Sequence, residues 1–326
     1  MISNKLSDVT HPILDEIGRF DKEFKNSMKS KVGLVELVTR FILHQKGKKV
    51  RPILVLLSAK LAGQISERTY RGAILVELLH TATLVHDDVV DNAEKRRGFP
   101  SINAVWKNKI AVLMGDYLLA RGLMLAVDGQ DFDFLKTITS TVKRMSEGEL
   151  LQTSKTRRLN IDEPTYYRII SDKTASLLST CCEVGARSVT DDAHIIESLR
   201  NYGEYLGIAF QIRDDILDYV GKSSIIGKPL GGDIKEKKIT LPLIYALKNS
   251  SSDESKNIIK TIKNNPDSKR IDEIIDFVKK KNGIEYAEKM SYEYSDKAKQ
   301  CLELFSESEA KESLKKLVDF VVERKN

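Results

Sequence analysis

Leu84-Val85-His86-Asp87-Asp88-Val89-Val90-Asp91 and Ile212-Arg213-Asp214-Asp215-Ile216-Leu217-Asp218 end on the same five-residue figure: two aspartates, two aliphatic residues and a third aspartate. Both stretches carry apolar residues at helical spacing. On a helix, positions i and i+4 share a face, so Asp87 and Asp91 point one way, as do Asp214 and Asp218. Asp88 and Asp215 fan out beside them. Like charges at that spacing weaken a helix slightly, and burying unpaired carboxylates costs far more. A positive partner is therefore expected between them. Hard divalent cations such as Mg²⁺ take oxygen ligands and bridge carboxylates to phosphates. Two such stretches facing each other across a cleft would clamp a polyphosphate through several ions. In a chain that is 31% charged, one copy alone could be a solvated helix face; a second copy in an apolar setting argues against that.

Outward from these stretches, helical periodicity continues through most of the 326 residues, with no sustained alternation of period two. It predicts helices near 5–25, 33–45, 51–63, 67–92, 108–127, 132–154, 164–187, 192–220, 239–248, 255–263, 270–281, 283–306 and 309–324. The breaks are Gly98-Phe99-Pro100, Asp128-Gly129-Gln130, the polar run 157–164 and the glycine-bearing loop 221–238. The fold class predicted is all-α, with residues 1–326 forming a single large helical domain around a central active-site cavity.

Lys and Arg number 53 against 47 Asp and Glu, a net charge of +6. The basic residues are dispersed, with no basic stripe interleaved with aromatics, so no nucleic-acid partner is expected. Of three cysteines, Cys181 and Cys182 are adjacent and Cys301 is remote, which is neither a disulfide framework nor a metal-binding spacing. There is no signal-peptide pattern at the start of the sequence. The longest purely aliphatic run, 53–57, is too short to cross a bilayer. These features lead us to expect a cytoplasmic protein with no stable membrane insertion.

Basic residues answer the acidic ones. Lys95-Arg96-Arg97-Gly98 follows the first stretch directly, and arginine makes bidentate contacts to phosphate oxygens. Upstream, Lys46-Gly47-Lys48-Lys49-Val50-Arg51-Pro52 puts cations beside a helix start, where anions bind readily. The loop after the second stretch holds Lys228, Lys235, Lys237 and Lys238, and Lys173-Thr174 stands within a helix rich in Ala, Ser and Leu.

With these residues in view, the chain resembles the trans-isoprenyl diphosphate synthases of the polyprenyl synthetase family. The matching segments, in the family's order, are Gly47–Pro52 (G-K-K-V-R-P), His80–Asp91 with Arg96-Arg97-Gly98, and Gly115–Leu118 (G-D-Y-L). They continue with Glu147–Gln152 (E-G-E-L-L-Q), Lys173-Thr174-Ala175, Phe210–Asp218, Gly227–Ile234 (G-K-P-L-G-G-D-I) and Lys238–Pro242. Two departures stand out. The family usually shows G-G-K-R where this chain has Lys46-Gly47-Lys48-Lys49, and Gln152 stands where short-chain farnesyl members carry Asp.

The resemblance implies the isoprenoid synthase fold and a prenyltransferase. Asp87, Asp88, Asp91, Asp214, Asp215 and Asp218 would hold Mg²⁺ on an allylic diphosphate. Arg96 would contact that diphosphate, and Lys173, Lys228 and Lys238 would reach it from other helices. Lys48, Arg51, His80 and Arg97 would bind isopentenyl diphosphate, while Thr174 and Gln211 would line the reacting carbons. A homodimer burying helices near 108–127 and 132–154 is also implied.

The expected product is a medium- to long-chain all-trans polyprenyl diphosphate, of the octaprenyl class. Ala82 lies about 140° round the helix from Asp87, so geometry alone does not place it on a product tunnel. The resemblance does, at a floor position that is bulky in short-chain enzymes. The alternatives are a geranylgeranyl or farnesyl synthase of the same family, or a terpene cyclase, which would carry a different second metal motif. An HD-type phosphohydrolase would need more ligand histidines than the five present. A regulatory subunit of a heteromeric synthase would lack the aspartates.

Overall fold

The computed structural model describes residues 6–45, 47–96, 98–221 and 230–324. Sixteen α-helices run through them. They are α1 Leu6–Thr10, α2 Leu14–Ser27, α3 Gly33–His44, α4 Val50–Ala62, α5 Glu67–Val90, α6 Ile102–Asp128, α7 Phe132–Arg158 and α8 Glu163–Ile170. After them come α9 Ser176–Arg187, α10 Ala193–Val220, α11 Gly232–Lys235, α12 Leu241–Lys248, α13 Ser252–Lys263, α14 Ser268–Lys280, α15 Gly283–Cys301 and α16 Glu309–Glu323. The only strands among the described residues, β1 Lys95–Arg96 and β2 Phe99–Pro100, pair antiparallel. This hairpin falls at the break expected at Gly98-Phe99-Pro100 and leaves the all-α class intact. It turns through Gly98 at φ +82°, a left-handed conformation that glycine takes without a Cβ clash.

Capping fixes where the two motif-bearing helices begin. Ser66 and Thr69 form a reciprocal capping box at the start of α5. The Asp192 carboxylate accepts from the His194 and Ile195 amides at the start of α10. Such caps satisfy donors that a helix start leaves unpaired. On α5, the consecutive buried run Gly72–Val76, followed by Leu78, Leu79 and His80, covers every face. A helix buried all round is a core helix. It packs against α4, α6 and α9, whereas α10 packs against α9, α15 and α16. One large apolar core joins α2, α4, α5, α9 and α16, and a second lies where α8, α10, α12, α14 and α15 meet. The two acidic figures therefore sit at the last turns of two helices that the cores hold firmly.

Helix α6 starts earlier than its periodicity predicts and is interrupted at Lys107, where φ is +71°. An 18-residue window within it has mean hydropathy 1.7, long and apolar enough to cross a bilayer by length and composition. The aliphatic-run criterion missed it because charged Asp116 and Arg121 punctuate the stretch. Ala111, Met114, Leu118, Gly122 and Ala126 are buried. Leu113, Met124 and Val127 are each more than half exposed, so one apolar face of α6 is uncovered among the described residues.

Candidate active site

The first acidic figure closes α5. Asp88 is buried and accepts a hydrogen bond from Arg96 Nε at 2.6 Å. The hairpin that follows α5 doubles the chain back and delivers this arginine. Burial raises the Asp88 carboxyl above its ordinary value, against the pull of Arg96. Asp87 and Asp91 have exposed edges and make no hydrogen bond or ion pair to other described side chains. Poor solvation still raises the Asp87 carboxyl, with Lys173 pulling it back.

Beside Asp88 opens a cavity of about 710 Å³, lined among others by Lys48, Arg51, His80 and Arg96. Three cations and a histidine thus share one wall with the inner face of the first acidic figure. Lys48 lies 5.7 Å from the Phe320 ring centre and acts electrostatically on Asp214. Lys49 also lines this cavity and pairs there with Asp21 of α2 at 2.5 Å. His86 reaches α6, with Nε2 3.3 Å from both the Val112 carbonyl and an Asp116 carboxylate oxygen. It is turned to packing, which leaves a phosphohydrolase without its first ligand.

The second figure is more deeply engaged. Asp215 is buried, and its oxygens accept from Tyr166 Oη at 2.7 Å and Gln211 Nε2 at 2.9 Å. Burial pushes its carboxyl well up. Asp218 accepts the Gly232 and Asp233 amides, both at 3.0 Å, and so anchors the start of α11. Burial and the neighbouring Asp218 push Asp233 up to about 6. Burial likewise raises Asp214, against Arg324, whose Nη2 donates to it at 2.5 Å. Lys238 pairs with Glu236; burial disfavours its charge, but Glu236, Asp233 and Asp91 outweigh that and raise it.

Lys173 and Thr174 sit in a feature the sequence does not announce. Between α8 and α9, Ser171–Ala175 forms a single π-helical turn, closed by the Ser176 amide donating to the Ser171 carbonyl. Such turns are rare and are frequent at functional sites. Lys173 Nζ donates to Gln152 Oε1 at 2.7 Å and pairs with Glu149. Thr174 Oγ1 donates to Gln211 Oε1 at 3.0 Å. A small polar pocket of about 110 Å³ gathers Lys173, Thr174, Gln211, Asp215, Asp233 and Lys238.

The two figures line separate cavities, Asp88 the larger and Asp215 the smaller, and are linked by basic residues within electrostatic reach of both. Lys238 responds to Asp91 of the first and to Asp233 beside the second. Lys173 acts on Asp87, and Lys48 on Asp214. Among the described residues, no three ligating side chains already converge on one ion-sized point. The donor set nevertheless fits hard divalent cations. It consists of carboxylates on opposed helix ends, several raised by burial, and bridging ions draw further ligands from a phosphate and water. Arg97 and Lys228, both expected here, lie outside the described residues. Tyr166, Asp233 and Arg324 were not singled out from the sequence. Asp233 stood within the G-G-D-I segment, whereas Arg324 has no motif around it.

Comparison with known proteins agrees with this architecture. The polyprenyl synthetase family profile matches residues 33–278. An all-trans-nonaprenyl-diphosphate synthase (geranyl-diphosphate specific) of Rhodobacter capsulatus is 36% identical over 318 residues, 97% of each chain. A decaprenyl diphosphate synthase structure from the same organism superposes with TM-score 0.92 at 33% identity, covering 99% of this chain and 100% of that one. A polyprenyl synthase from Caulobacter crescentus, solved with calcium and isoprenyl diphosphate, superposes with TM-score 0.91 at 31% identity over the whole of both chains. With the family profile matched over most of its length and this likeness to relatives along nearly all of it, the chain belongs to the polyprenyl synthetase family.

Proposed function

We propose that the protein condenses isopentenyl diphosphate with an allylic diphosphate, repeatedly, to give an all-trans polyprenyl diphosphate longer than farnesyl. One observation carries this: the cavity lined by Lys48, Arg51, His80 and Arg96 also holds Asp88 of the first acidic figure, and Lys48 lies within electrostatic reach of Asp214 of the second. A hydrolase or a cyclase has no use for a second anion-binding wall.

Asp87, Asp91 and Asp214, backed by Asp88, Asp215 and Asp218, would hold Mg²⁺. Bound there, the ion supplies Lewis-acid neutralisation of charge on the departing diphosphate. Lys173 and Lys238 donate to that diphosphate's oxygens, with Lys228 added on the family's pattern. Lys48, Arg51 and His80, with Arg97 by the same resemblance, grip isopentenyl diphosphate. Arg96, tied to Asp88, would contact the allylic diphosphate. The allylic carbon–oxygen bond breaks and the diphosphate leaves with its electron pair. The oxygens of Thr174 and Gln211 lie beside the carbons where positive charge develops. The isopentenyl double bond then forms the new carbon–carbon bond. One proton is lost to restore a double bond, and the released diphosphate is the base we assign. Side chains that exclude water keep the cation from being quenched.

The neutral Gln152, which holds Lys173, and the small Ala82 both favour a long product. So do the nonaprenyl and decaprenyl names of the relatives. The chain would work as one helical domain, and a second copy would cover the exposed apolar face of α6 and the adjoining α7. The test is incubation with Mg²⁺, geranyl diphosphate and isopentenyl diphosphate, then mass spectrometry of dephosphorylated products. Elongated prenols are expected; a cyclic hydrocarbon or orthophosphate alone would overturn the assignment.

A further inference from the structure

The π-turn that presents Lys173 and Thr174 is clamped from outside the site. Arg144 of α7 donates from Nε to Asp172 Oδ1 at 2.9 Å. From Nη2 it donates to Ser171 Oγ and to Glu204 Oε1 of α10, both at 2.9 Å. The Ser171 hydroxyl also donates to Glu204. One guanidinium therefore ties α7, the π-turn and α10 together through the two residues that immediately precede Lys173. Asp172 and Glu204 are largely buried, with side chains 16% and 19% exposed.

The backbone around the turn is fitted to this clamp. A Cβ added at Gly148 of α7 would come within 3.0 Å of both the Asp172 Cβ and the Lys173 amide nitrogen. One added at Gly207 of α10 would come within 2.4 Å of the Ala175 Cα. The widened turn is thus gripped between two helices at positions where only glycine leaves room. A π-turn carries one residue more than an α-turn needs and costs helix energy unless neighbours hold it. Left to relax, the turn would rotate Lys173 and Thr174 away from Gln152 and Gln211.

We propose that Arg144, bridging to Asp172, Ser171 and Glu204, is a positioning residue for the condensation, holding the π-turn so that Lys173 and Thr174 face the reacting groups. Arg144 itself lines neither the larger cavity nor the smaller polar pocket. The inference rests on the proposed prenyl transfer and deepens it.

The test is a double-mutant cycle in steady-state elongation, with circular dichroism and melting on every variant. Arg144→Gln is expected to lower kcat on the order of 10- to 100-fold, the usual cost of misplacing site groups. KM for isopentenyl diphosphate should stay within about twofold, because its contacts through Lys48 and Arg51 are untouched. Arg144→Lys, which keeps the charge and loses the fork, should fall between wild type and Arg144→Gln. In the Lys173→Gln/Thr174→Val background, Arg144→Gln should change kcat less than about threefold, since nothing remains to be aimed. Multiplicative losses there would mean a merely structural role and would overturn the inference. A wild-type rate in Arg144→Gln would do the same. If Lys173→Gln/Thr174→Val keeps full rate while Asp87→Ala is inactive, the inference falls but the synthase assignment stands. Absence of elongated product from wild type would sink the assignment itself. Should Arg144→Gln misfold, Glu204→Gln runs the same cycle by weakening only the tie to α10.

Discussion

Replacing Arg324 with alanine tests how the second acidic figure is held before any cation arrives. Arg324 lies just past α16 with its side chain 13% exposed, and it pairs with Asp214, whose side chain is 42% exposed. Its guanidinium sits 4.1 Å from the Phe210 ring centre, and Nη2 also donates to the Phe210 carbonyl at 2.9 Å. A charge-assisted hydrogen bond is worth about 1.5–3 kcal/mol, and exposure of Asp214 argues for the lower end. The ring contact adds about 1 kcal/mol. The Arg213 bonds to the Arg324 carbonyl survive the substitution. The loss is thus about 2–3 kcal/mol. Unfolding entropy near 2.1 cal/mol/K per residue gives about 0.7 kcal/mol/K for this chain, so the metal-free protein should melt about 3–4 °C lower. With Mg²⁺ and inorganic diphosphate present, the gap should narrow, because bound cations then neutralise Asp214 without Arg324. Differential scanning fluorimetry in chelator and in Mg²⁺–diphosphate measures both. An unchanged midpoint in chelator, or the same gap in both conditions, would refute the account of Arg324 as the resting counter-ion of Asp214.

Asp87→Ala and Asp214→Ala should each cut turnover by at least the order of 10²–10³ expected when charge stabilisation is lost. Only Asp214→Ala should also lower the metal-free melting point, because among the described residues Asp87 has no ion-pair partner to strand. Asp233 is raised from 3.8 to about 6. As pH rises through that window the unfolded chain releases the proton first, so stability falls, by up to about 3 kcal/mol once pH is well above it. Asp233→Asn removes that loss; in chelator its gain in melting temperature should be larger at about pH 8 than at about pH 5, by roughly 2 °C. An equal gain at both pH values would show that Asp233 does not carry the burial cost. Ala82→Phe should shorten the principal prenol without stopping condensation. Ala82 is only 1% exposed within the main core, so a variant that merely overpacks, losing about 1–3 kcal/mol of stability with chain length unchanged, would remove Ala82 from the product channel.

Much of this fold is legible because helices announce themselves. The predicted spans 33–45, 51–63, 67–92 and 192–220 match α3, α4, α5 and α10 within two residues at either end. Apolar periodicity is set by burial of a stripe and needs no knowledge of what lies against it. The β1–β2 hairpin escaped because two-residue strands have no period to detect. The early start of α6 escaped because Lys107 interrupts it with a left-handed residue. The acidic residues were legible for a different reason: grouped carboxylates in apolar surroundings create an energetic problem that only cations solve, and the problem is visible in the sequence.

Positioning is harder to read, because it is solved by contacts remote in sequence. Lys173 and Thr174 could be named from their motif, but nothing local says that their turn is π-helical. That conformation depends on Gly148 and Gly207 leaving space on two other helices, and on Arg144 bonding to Ser171, Asp172 and Glu204. Arg324 is a still plainer case, joining Asp214 from 110 positions away with no pattern around it. Groups that meet the substrate are constrained in type, since few side chains can hold a metal or a phosphate. Groups that aim them are constrained only in place, and many residue types could fill the role. A chain of this family can therefore keep its acidic figures while changing the clamp behind them, and rate differences among such enzymes should be sought in residues like Arg144 as much as in the aspartates.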